Sequence, residues 1–136
     1  MMKIMLRNIV IISLSGLIVF LSGCISMMSP EALKSEDSYD LCKNYYFTRS
    51  EKVKLELAWR NAIPYDEWPL IEKKLIRLGM SELGLVCSWG LPRRINKTVT
   101  RRGTRKQWIY CPYGYYNSHD CQYVYTDNGK ITALQN

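Results

Sequence analysis

At Arg93 the spacing of apolar residues switches from about every 3.6 positions to every second one, dividing the chain into a helical half and a stranded half. Downstream, Arg94 to Thr100 alternates, with Ile95, Lys97 and Val99 on one face, and Arg101-Arg102-Gly103 reads as a turn. Arg105 to Cys111 is the returning strand, a nine-residue loop runs from Pro112 to Asp120, and Cys121 to Thr126 forms a third strand. Asp127-Asn128-Gly129 is a strong hairpin signal into a last strand, Lys130 to Gln135.

Upstream the signals are helical. Ser38 to Phe47, with Tyr39, Leu41, Cys42, Tyr45 and Tyr46, predicts a short helix. Ser50 is a plausible N-cap for a second, with Glu51 in its first turn. Leu55, Ala58, Trp59 and Ala62 recur at i, i+3, i+4, i+7 and predict its buried stripe, ending before Pro64. Glu56 and Arg60 form a favourable i,i+4 pair on that helix. Asp66 is expected to cap a further helix that tolerates Pro69 in its first turn and buries Trp68, Ile71 and Leu75. Ser81 caps the last, which is apolar almost all round (Leu83, Leu85, Val86, Cys87, Trp89) and so is expected inside the fold, stopped by Gly90 and Pro92. Helices first and a meander afterwards predict an α+β domain: two or three N-terminal helices on one face of a small antiparallel sheet.

The amino terminus has a separate task. Lys3 and Arg7 precede an apolar run from Ile9 to Leu21, shorter than the roughly 20 residues a membrane span needs. Leu21-Ser22-Gly23-Cys24 then completes the layout of a bacterial lipoprotein signal, favoured over an ordinary cleaved leader with an incidental cysteine. Residues 1–23 are read as the signal peptide and Cys24 as the lipid attachment site. Residues 24–37, Ser- and charge-rich, are read as a flexible tether, and 38–136 as the domain. Ile25 after the cysteine, instead of the aspartate that retains such proteins in the inner membrane, points to the outer membrane, facing the periplasm, if the source is Gram-negative. Removal of the leader lowers the formal charge from +7 to +5.

Lipid on Cys24 leaves Cys42, Cys87, Cys111 and Cys121 for an oxidising compartment, an even set that reads as two disulfides with three connectivities. If the second and third strands are hairpin partners, Cys111 and Cys121 face each other across the base of the loop, which leaves Cys42 for Cys87. The one histidine, His119, and the lack of any C-x-x-C pair argue against a metal site, and no cofactor is expected. The same scarcity, with no placed nucleophile, argues against an enzyme.

Gly79-Met80-Ser81 followed by Leu85, Trp89, Gly90 and Pro92 resembles the G-M-[ST]-x(3)-hydrophobic-x(3)-hydrophobic-G-x-P signature of the SmpA/OmlA (BamE-like) family of small outer-membrane lipoproteins. Gly103-Thr104, Gln107-Trp108-Ile109-Tyr110, Tyr123-Val124-Tyr125 and Asn128-Gly129-Lys130-Ile131 resemble its strand-and-hairpin half. The likeness covers about residues 75–136 and implies helices followed by a β-meander, with a role beside the outer-membrane protein assembly machinery. Four extra cysteines, Gly84 within the last helix and the long stretch from Ser38 to Leu75 depart from that pattern.

Two surface features carry the functional reading. Between Arg93 and Lys106 lie seven basic residues (Arg93, Arg94, Lys97, Arg101, Arg102, Arg105, Lys106) and no acid. They suit an anionic partner, whether lipid headgroups or an acidic protein surface, or else a solvated edge strand kept apart by charge. Nucleic acid, the usual partner of such a patch, is not expected for an exported chain. The loop after Cys111 carries Tyr113, Tyr115 and Tyr116 among small polar residues, a composition for recognition or for rings folded onto the sheet. Trp108 and Tyr110 share a strand face and are expected in the core. The reading is a non-enzymatic envelope lipoprotein that docks onto other envelope proteins through Arg101, Arg102, Arg105 and the tyrosine loop. The alternative is an envelope inhibitor or exclusion lipoprotein carried by a phage or plasmid.

Overall fold

The computed structural model describes residues 29–112 and 120–136. Short polar side chains start its helices. Ser29 accepts a hydrogen bond from the Ala32 amide to open α1 (Pro30–Ser35), and Asp37 does the same for Asp40 at the head of α2 (Ser38–Thr48). Ser50 precedes α3 (Glu51–Trp59) but makes no side-chain cap bond. A 3-10 turn, Tyr65–Glu67, runs into α4 (Trp68–Glu72). Asp66 lies inside that turn and does not cap the helix; it accepts from Arg77 instead. Ser81 opens α5 (Glu82–Trp89) by accepting from the Gly84 amide at 3.0 Å.

Four antiparallel strands follow in the order β1 (Arg94–Thr100), β2 (Gly103–Tyr110), β3 (Gln122–Asp127), β4 (Lys130–Gln135). The β3–β4 turn places Asn128 and Gly129 at φ 49° and 84°, the left-handed pair that a two-residue hairpin demands. The α+β arrangement is the expected one, helices followed by an antiparallel meander, but among the described residues five helices and a 3-10 turn stand where two or three helices were expected. Trp108, Val124 and Ile131 from the sheet meet Leu41, Leu57, Ile71, Leu85 and Val86 from the helices in one core. Two disulfides join Cys42 to Cys87, linking α2 to α5, and Cys111 to Cys121 across the base of the β2–β3 connection.

Three further expectations about the helical half change. Residues 30–35, expected as tether, are helical, and Leu33 is buried. Arg60 holds this helix: its guanidinium donates to the carbonyls of Leu33, Lys34 and Glu36, and its Nε to Glu56 at 2.7 Å. Those carbonyls belong to the helix's open C-terminal end, where a cation is doubly favourable. Second, the stripe Leu55–Trp59 faces outward, with Leu55 60 % and Trp59 78 % exposed. α3 carries another apolar pair half a turn away, Val53 and Leu57, and that pair takes the core side. Third, α4 buries Trp68 and Ile71 but ends at Glu72, so Leu75 falls beyond it and stays half exposed.

Candidate interaction surface

The start of α5 is where helices and sheet are locked. Met80, fully buried, accepts from the Ile131 amide, while the Gly79 amide donates to the Ile131 carbonyl, so Gly79-Met80-Ser81 lies antiparallel to the start of β4. The Glu82 amide donates to Gly129. Its carboxylate accepts from Lys106 at 2.5 Å and from the Thr126 hydroxyl at 2.6 Å, and that hydroxyl in turn accepts from the Trp108 indole at 3.0 Å. Glu67, 1 % exposed, accepts from both the amide (2.8 Å) and the hydroxyl (2.5 Å) of Ser81. Burial of a carboxylate is tolerable here because these donors satisfy it and Lys130 approaches to 3.9 Å.

Gly84 is what makes room. A Cβ at this position would stand 2.3 Å from the Glu67 carboxylate and 3.0 Å from the Ser81 hydroxyl. In an ordinary helix interior Gly→Ala is stabilising by about 1 kcal/mol. Here Gly84→Ala is expected to destabilise by about 2–4 kcal/mol, through crowding and the loss of Glu67's bonds to Ser81. In a double-mutant cycle measured by urea unfolding, the same substitution should cost little once Glu67 is alanine. Additive costs would mean that the two side chains do not compete for this space.

With the inward groups thus paired, the outward chemistry lies on β1 and its hairpin. β1 is an edge strand, and all seven of its residues are exposed. Ile95, Lys97 and Val99 point to the helical side of the sheet, since Ile95 stands opposite Trp108 and Lys97 opposite Lys106. No helix among the described residues covers Val99, which is 68 % exposed. Strand alternation splits the basic run between faces. Lys106 turns in to Glu82 and lies over the Trp108 ring, whereas Arg105 turns out and pairs with Asp127 at 2.8 Å. Arg101 and Arg102 occupy the turn, beside a hollow framed by Thr98, Thr100, Thr104 and Asn128. Among the described residues, Arg94, Lys97, Arg101 and Arg102 form no ion pair.

The open face of the sheet carries a polar track across all four strands. Asn96 donates to Gln107, Gln107 to the Tyr125 hydroxyl, and Tyr125 to Gln135, each near 3 Å. These mutual bonds stiffen the sheet behind the β1 edge.

Of the residues singled out in the sequence, Arg101, Arg102 and Arg105 come together at one end of the β1–β2 hairpin. Cys24, Tyr113, Tyr115 and Tyr116 lie outside the described residues. Trp108 is buried at 2 % exposure, and Tyr110 packs on the core with its ring 5.4 Å from Trp89 and its hydroxyl donating to Gly90. Burial pushes the Tyr110 phenol far above its usual range, so it stays protonated. Sequence reasoning missed Glu67, whose partner lies 14 positions away, and gave Arg60 only a local role. No helix among the described residues is long and apolar enough to cross a membrane. Compared with known proteins, the chain matches no family profile, no curated protein and no solved structure at a significant level.

Proposed function

We propose that this chain is a non-enzymatic outer-membrane lipoprotein, anchored through Cys24 and facing the periplasm, that serves as a protein-docking module of the SmpA/OmlA (BamE-like) type. Its work would lie in outer-membrane protein assembly or envelope integrity. The observation that carries the reading is the β1 edge: an open strand, exposed along its whole length, with cations at Arg94, Lys97, Arg101 and Arg102 that no acid of the described residues neutralises. An open edge offers unpaired backbone groups to an added strand, and these cations select an acidic one. Confinement to a membrane raises the effective concentration of such a partner, so a weak contact suffices. The lipoprotein layout of Leu21-Ser22-Gly23-Cys24 supports the anchor.

In cells expressing the full chain, palmitate should label the protein and Cys24→Ser should abolish the label. Crosslinking of intact envelopes should then recover a discrete set of envelope proteins. The triple variant Lys97→Glu/Arg101→Glu/Arg102→Glu should reduce that recovery at least fivefold at unchanged abundance. Equal recovery from wild type and variant would remove the edge from the mechanism, and label that survives Cys24→Ser would remove the anchor.

A further inference from the structure

The apolar stripe on the outer side of α3 has no cover within the described residues. Leu55 and Trp59 stand one turn apart, 60 % and 78 % exposed, directly opposite the buried Val53 and Leu57. A tryptophan and a leucine held side by side in water are an unfavourable surface unless something covers them. We infer that this face of α3 rests on the lipid bilayer that holds the anchor, with Trp59 and Leu55 at the headgroup–acyl boundary.

The occupant follows from where the anchored segment joins the fold. Arg60, next to Trp59, donates to the C-terminal carbonyls of α1 and so ties that end of the helix to the end of α3. α1 has six residues, a length of about 9 Å. Only four residues separate its cap Ser29 from Cys24, and the five Cα–Cα steps span at most about 18 Å when fully extended. A domain of this size is about 35 Å across, judged from a radius of gyration near 13 Å. Cys24 therefore stays within about 27 Å of Arg60, less than the width of the domain, which keeps the anchor nearer to the end of α3 than to the far side of the fold. The chemistry agrees. Tryptophan is the side chain best suited to the interface, where its ring is apolar and its N–H finds water or headgroup oxygens. Lys52, one turn before Leu55 and exposed, adds a cation on the same face, while Lys54 is engaged by Glu72 at 2.6 Å and lies 3.7 Å from Glu51.

The inference rests on the anchor at Cys24, and its test keeps the two apart. The lipidated full chain is reconstituted at low protein-to-lipid ratio into vesicles of phosphatidylethanolamine and phosphatidylglycerol whose acyl chains are brominated near the glycerol end. Of the four tryptophans, Trp68 and Trp108 are buried and Trp89 is partly covered beside Tyr110, so the quenching lost in Trp59→Phe is the part that reports on Trp59. The wild type should be quenched. Trp59→Phe, which leaves the core untouched, should retain less than a third of that quenching, and Leu55→Glu should reduce it at least twofold. Palmitate incorporation at Cys24 with no Trp59-dependent quenching would overturn this orientation and leave the anchor standing. Quenching altered by raising the protein-to-lipid ratio would also overturn it, because a second copy would then be the cover. Failure of the labelling itself would remove the anchor, and this orientation with it.

Discussion

With Cys42 and Cys87 replaced together by alanine, the domain is expected to lose about 4 kcal/mol of stability, measured by urea unfolding without reductant. The bridge spans 45 positions and joins two fully buried side chains. Closing a loop of that length removes chain entropy from the unfolded state in proportion to the logarithm of its length, which gives the figure of about 4 kcal/mol. The bridge between Cys111 and Cys121 spans 10 positions and by the same relation contributes about 2.7 kcal/mol. A small domain holds only about 5–15 kcal/mol in total. Loss of the long bridge alone should therefore leave it marginal, and a reductant acting on both should unfold it at physiological temperature. A double variant within 1 kcal/mol of the wild type would show that the helices already restrict the unfolded chain.

Trp108→Ala is expected to cost about 3–5 kcal/mol, the range for truncating a large core aromatic. The indole is 2 % exposed in the middle of β2, beside Ile95 and Val124 in the ladder. Its N–H also begins the chain through Thr126 to Glu82 and Lys106. Trp108→Phe separates the two contributions. It keeps most of the packing, removes the donor, and should cost about 1–2 kcal/mol. If Phe costs as much as Ala, the hydrogen-bonded chain and not the ring volume dominates at this position.

How legible each feature was in the sequence depended on how local its cause is. The meander was readable to within two residues because alternation and the Asn128-Gly129 turn are properties of neighbouring positions. Strand topology then brought Cys111 to Cys121, and elimination paired Cys42 with Cys87. α1 was not legible, since six residues of modest propensity are held by Arg60, more than 20 positions away. The α3 stripe misled because the helix carries two apolar pairs on opposite sides, and periodicity cannot say which one meets the core. Gly84 was visible only as an oddity; its reason is the Glu67 carboxylate arriving from another segment. The basic run read as one cluster, whereas strand pleating sends Lys106 inward to Glu82 and Arg105 outward to Asp127.

The charge along β1 also governs how the molecule treats its own kind. Two copies zipped antiparallel about the midpoint of that strand would set Lys97 against Lys97, while the arginines of each turn crowd the far end of its neighbour. Homotypic pairing is thereby penalised along an edge whose residues are all exposed. On the leaflet to which the proposed anchor would confine the molecule, such self-avoidance would keep the strand vacant for a guest of opposite sign.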